Sequence, residues 1–161
     1  MSETARTKEP RRACLADEAA EIRRDADPAE VQAIIEESRP VAAIGIRERL
    51  DLFHRILERE RLPKDPGRRM VRLKHLIEQE RANLAKREGR YRELRQFGLE
   101  ALSDYDLTIP YSGDGLAALR FALKTVDAHI SFSLSMLLVL DTCLASAHRE
   151  LCGGAEQLTL L

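Results

Sequence analysis

Apolar side chains recur along this chain at helical spacing, punctuated by proline and aspartate. From about Val41 to Leu62, the residues Ile46, Leu50, Phe53 and Leu57 follow one another at steps of four, three and four, the spacing of one helical face. Pro63 stops that segment. Asp65-Pro66 then places an N-cap before a proline at the first helical position, and opens a long helix over about 66–97 with a seam of Met70, Leu73, Ile77, Leu84, Tyr91 and Leu94. At about 1.5 Å per residue that helix would be nearly 50 Å long. A second long helix, about 115–151, starts near Asp114 and carries Leu119, Leu123, Val126, Ile130, Ser133, Leu137, Leu140, Leu144, Ala147 and Leu151 in alternating 4-3 spacing. A second apolar row, Phe121, Phe132, Met136, Val139 and Cys143, lies about a third of a turn away. A helix apolar on two sides is either central in a bundle or shared with another chain.

Shorter helices precede these two. Leu15, Ala19 and Ile22 suit a short amphipathic helix over 14–24, and Asp27-Pro28-Ala29-Glu30 reads as a helix start in which Glu30 completes a capping box. Val31, Ile34 and Ile35 would share its inner face, and Pro40 ends it or begins the next. Residues 99–114 interrupt the helical pattern with Pro110, Gly113 and several acids, and read as a long connection with a short extended piece at Leu107–Pro110. The expected architecture is all-α, an elongated bundle of two long helices and shorter N-terminal ones. Its organisation would be a disordered 1–12, a single helical domain over 13–152, and a flexible tail over 153–161 released by Gly153-Gly154.

Composition agrees with helices. Of 161 residues 44% are hydrophobic and 33% charged, with no tryptophan and few other aromatics. Net charge is −1, which gives no general attraction to nucleic acid or anionic membrane. Its distribution is uneven: residues 55–95 hold seven acids and fourteen bases, whereas 96–161 hold eight acids and three bases. Cys14, Cys143 and Cys152 are odd in number and lack Cys-x-x-Cys spacing, which argues against a disulfide framework or a structural zinc site. The polar N-terminal stretch lacks the apolar run of a signal peptide. The most apolar stretch, Ile130 to Leu140, is eleven residues long, short of the roughly 20 that span a bilayer. Together these features imply a cytoplasmic protein.

The candidate chemistry is sparse. His54, His75, His129 and His148 lack the paired Glu-x-x-His of di-iron bundles, so no metal and no cofactor is implied. Ser112-Gly113-Asp114-Gly115 reads as a turn with Asp114 as N-cap, since a carboxylate in its middle opposes an anion cradle. The most coherent charged feature lies on the 66–97 helix. On a 100° wheel Arg68, Arg72, Gln79, Asn83, Lys86 and Arg90 fall within about 60° of one another, about a third of a turn from the centre of the apolar seam, with no acid among them. Such a stripe either tracks phosphates of a nucleic acid or is a solvated face paired with nearby acids.

Local resemblances are few. Arg49-x4-His54 and Arg69-x5-His75 resemble the Arg-x4-6-His spacing of helical ribonucleases of the HEPN type, which implies an imidazole as general acid or base and an arginine on the transition-state phosphate. The tail GGAEQLTLL resembles, through its linker and Leu158-Thr159-Leu160, the docking peptides of encapsulin cargo proteins. In size and helical character the chain is similar to the small helical subunits of CRISPR effector complexes. The leading functional expectation is a non-enzymatic helical interaction protein, a subunit of a homo-oligomer or larger complex. It would use Leu119, Val126, Ile130, Leu137, Leu140 and Leu144 as core or interface. The alternatives are a nucleic-acid-associated subunit using the 68–90 stripe, and a helical ribonuclease.

Overall fold

Three helices in this chain begin where a carboxylate can take up amides left free by the first turn. Asp27 accepts a hydrogen bond from the Ala29 N–H at 2.9 Å, Asp65 from the Arg68 N–H at 2.7 Å, and Asp114 from the Ala117 N–H at 3.0 Å. The computed structural model describes residues 9–38, 51–52, 55–56, 58–111 and 113–159, with backbone only for 9–13 and 154–159. Its helices are α1 (Glu9–Asp25), α2 (Pro28–Glu37), α3 (Pro66–Phe97), a 3-10 turn (Gly98–Ala101), α4 (Asp104–Thr108) and α5 (Gly115–Thr159). Among the described residues there is no strand, and the all-α class with two long helices follows. The Asp27 cap closes on Ala29, its nearest reachable amide, and not through the expected Glu30 box. Of the face expected over 41–62, Ile46, Leu50, Phe53 and Leu57 lie outside the described residues. The described part of 51–60 is helical and stops at Arg61, whose φ of 45° is left-handed.

The chain divides into two compact units, one of Met1–Arg39 with Gly89–Asp127, the other of Pro40–Glu88 with Ala128–Leu161. In the first, Ala19, Ile34, Ile35, Leu94, Leu99, Leu102, Leu107, Leu119 and Leu123 are buried. Two polar clamps fix its pieces. Arg23, only 17% exposed, ion-pairs with Asp104 at 2.9 Å and donates to the carbonyl of Leu102 at 2.8 Å. Tyr91 Oη meets Ser38 Oγ at 2.9 Å and donates to the Ser38 carbonyl at 3.1 Å, holding the end of α2.

The segment 99–114, expected as an irregular connection with an extended piece at Leu107–Pro110, is instead mostly helical. The Asp106 amide donates to Ser103 Oγ at 3.2 Å while the Ser103 amide donates to the Asp106 carboxylate at 3.2 Å, a capping box that starts α4. Burial of Leu99, Leu102 and Leu107 then holds the segment against its unit. Two glycines make this packing possible. Gly98 ends α3 at φ 53°, where a Cβ would stand 3.0 Å from Val31 Cγ1. At Gly115 a Cβ would stand 2.8 Å from Ile22 Cγ2, so α5 starts closer to α1 than any side chain permits.

In the second unit Ile56, Leu73, Ile77, Val139, Leu140, Cys143 and Ala147 form the core, flanked by Met70, Leu76, Met136, Leu137 and Leu144. Helix α5 continues to Thr159, past the end expected near Leu151 and through Gly153-Gly154. It is the one helix among the described residues long and apolar enough, by length and composition, to cross a membrane. Yet its stretch without charged residues, 128–140, spans only about 20 Å against a hydrocarbon core of about 30 Å.

The glycines give opposite expectations. Gly98→Ala should cost roughly 1–3 kcal/mol, from the left-handed φ and the Val31 contact. Gly89→Ala, in mid-α3 with nothing within 4 Å of the added carbon, should stabilise by up to about 1 kcal/mol. Denaturant unfolding of both variants measures the difference, and equal shifts would contradict the local geometry.

Candidate functional site

Of the stripe residues, Arg68, Gln79, Asn83 and Lys86 are exposed on α3, and Arg72 is half-buried. Their charges are partly committed. Arg72 ion-pairs with Glu60 at 2.9 Å, and the Asn83 amide donates to Glu80 at 3.3 Å. Arg90, which belongs to the first unit, pairs with Glu93 one turn on at 2.7 Å. Arg68 and Lys86 have no ion pair among the described residues. An uninterrupted cationic track is therefore not what the helix presents.

The ribonuclease-like pairs fare differently from one another. Arg49 and His54 lie outside the described residues. Arg69 is fully engaged: Nε donates to the Pro63 carbonyl at 2.9 Å, Nη2 to the Lys64 carbonyl at 2.6 Å, and Nη1 to both Glu150 oxygens at 3.0 Å. It ties the start of α3 to α5, while His75 is exposed on another face of the helix. His129 and His148 are exposed as well, and no cluster of three or more potential ligands occurs among the described residues. Leu158 and Thr159 of the cargo-like tail continue the backbone of α5, and Leu160 lies outside the described residues.

The row expected as core or interface divides. Leu119 and Leu140 are buried, while Val126, Ile130, Leu137 and Leu144 are half-buried. The second row splits: Val139 and Cys143 are buried but Phe121 and Phe132 are exposed. Burial pushes the Cys143 thiol up to about 11, which keeps it protonated and inert at neutral pH. Helical periodicity does not single out the residues that do face outward, Leu134 at 44% and Leu138 at 51% exposure, one turn apart. A search for apolar positions outside the 4-3 rows would have found them.

Ser133, the polar member of the row, has a partner. Its hydroxyl donates to Glu80 Oε1 at 2.5 Å, and Arg87 Nη1 reaches both Ser133 Oγ and the His129 carbonyl, the latter at 3.0 Å. Arg87 also ion-pairs with Glu80 at 3.2 Å and lies over the Phe132 ring at 5.9 Å. Glu80 is only 12% exposed, so its charge depends on these partners. Nothing in this cluster is arranged as a nucleophile with its base; it is a structural clasp between α3 and α5.

Arg87→Met should therefore lower stability by roughly 1–3 kcal/mol, because Glu80 keeps its burial and loses its cation. Lys86→Gln, on the exposed side of the same turn, should change stability by less than about 0.5 kcal/mol. Thermal unfolding of the two variants compares them directly, and an Arg87→Met as mild as Lys86→Gln would mean that the clasp contributes nothing. No family model, characterised protein or solved structure matches this chain, so its function is argued from its own geometry.

Proposed function

We propose that this protein is a non-enzymatic helical interaction protein that self-associates or joins a larger complex through the outward face of α5. One observation carries the reading. From Ala128 to Leu140 the helix has no charged residue, although Leu134 and Leu138 point outward and only 39% of its most apolar 18-residue window is buried. An exposed helix face ordinarily carries charges, and covering the exposed half of each leucine would contribute roughly 0.8–1.5 kcal/mol. Half-buried Ile130 and Leu137 extend the same surface. A second copy of the chain supplies an identical apolar face, and a two-fold arrangement would match the two.

Light scattering during size-exclusion chromatography tests this. The wild-type protein should be a dimer or larger, and Leu134→Glu with Leu138→Glu should yield a monomer of unchanged helicity, since neither residue is in the core. A wild-type protein that stays monomeric at every concentration, with no partner retained by this face, would overturn the proposal.

The basic stripe gives an independent check on the nucleic-acid alternative. Replacing Arg68, Arg72, Lys86 and Arg90 together by glutamine should leave stability within about 1 kcal/mol, because the two ion pairs they form, with Glu60 and Glu93, are partly open to solvent. The oligomer should also survive. Steeply salt-dependent binding of RNA or DNA by the wild type, lost in this variant, would move nucleic-acid binding to first place.

A further inference from the structure

The second unit holds a pocket of about 300 Å³ between α3, α5 and the described helical residues Leu52, Arg55, Ile56, Arg59 and Glu60. This volume is near the lower end for small-molecule sites. Its floor is apolar, from Ile56, Leu76, Phe132, Met136 and Leu140. Its rim is polar: Arg55, Arg59, Glu60, Gln79, Glu80 and Asn83.

The charges on the rim are unequal once their partners are counted. Glu60 is held by Arg72 at 2.9 Å, and Glu80 by Arg87 and the Ser133 hydroxyl. Neither carboxylate is left to attract a cation. Arg55 and Arg59 stand one turn apart, both exposed. Arg55 uses Nε on the Asp51 carbonyl at 3.3 Å, which leaves its terminal nitrogens; Arg59 has no ion pair among the described residues. Two guanidinium groups without an ion pair among the described residues therefore stand at the mouth, in a lining that also includes Gln79 and Asn83. Guanidinium forks match oxyanions in geometry as well as in charge.

We infer that this pocket binds a small amphipathic anion, an apolar body of roughly ten heavy atoms ending in a carboxylate. The tail lies on Met136, Leu76 and Leu140, and the head meets Arg55 and Arg59. Methionine suits a site of this kind, because its unbranched thioether adapts to the shape beside it. This proposal is separate from the outward face of α5, since it uses the other side of that helix.

Octanoate serves as the probe, with octanol and octylammonium as neutral and cationic controls of equal length. The chain has three methionines, so selective labelling of methionine methyl groups gives a short NMR spectrum, assigned with Met136→Leu. Octanoate should shift the Met136 methyl signal saturably and leave that of Met70, which does not line the pocket, in place. Its affinity should exceed that of octanol at least tenfold, and octylammonium should be weakest. Arg55→Gln with Arg59→Gln, both at exposed positions, should erase the advantage of octanoate while octanol still binds. Equal affinities for the three probes, a preference for octylammonium, a shift at Met70 without one at Met136, no saturable shift at all, or an unchanged double variant would each overturn the inference.

Discussion

The burial of one side of α5 is the constraint on which the rest of this molecule depends. Leu119 and Leu123 are buried in the first unit, and Val139, Leu140, Cys143 and Ala147 in the second, so a single helix supplies core to both. Such a helix must be apolar over most of its length, and a buried polar exception is costly unless a local partner satisfies it. Ser133 shows how: it is fully buried, and its hydroxyl completes a bond set with Glu80 and Arg87 that no aliphatic residue could make. The polar interruption in the apolar row is thus part of the packing.

That dependence also separates what was legible in the sequence from what was not. Asp27-Pro28, Asp65-Pro66 and Asp114 announced helix starts because capping is local chemistry, set by residues within one turn. The 4-3 rows announced the long helices for the same reason. The segment 99–114 was misread although Ser103-x-x-Asp106 is itself a capping signal, because proline and glycine on its far side dominate the pattern. Leu99, Leu102 and Leu107 order it through contacts outside the segment, and such contacts leave no local trace. Gly115 looked like a turn residue, and its role is instead to let α1 and α5 approach.

The charged stripe shows, for a related physical reason, what spacing alone leaves out. A helical wheel shows which residues share a face but not which acids other segments bring to it. Glu60, twelve residues before Arg72, comes from a different helical segment, and Glu80 turns inward from the same helix that carries the bases. Once those carboxylates are placed, the stripe cations left without an ion pair among the described residues are Arg68 and Lys86, far apart on α3, whereas Arg55 and Arg59 stand one turn apart. The order of apolar and charged residues therefore identifies α3 correctly as a helix, while its surface chemistry is decided by what packs beside it.

The two arginine clamps have a consequence for how the chain reaches this structure. Arg23 bonds Asp104, and Arg69 bonds Glu150, each across 81 positions of sequence. The units are interleaved along the chain, so no single cut separates them and neither can be completed until its distant second stretch has been synthesised. The first stretch of each waits on the ribosome with its apolar side open, for some seconds at translation rates of roughly 5–20 residues per second. Closing loops of that length costs entropy and slows folding. An all-helical protein is usually a fast folder, and here these two long closures come on top of otherwise local helix formation. Its nascent chain has a correspondingly longer interval in which chaperones can bind.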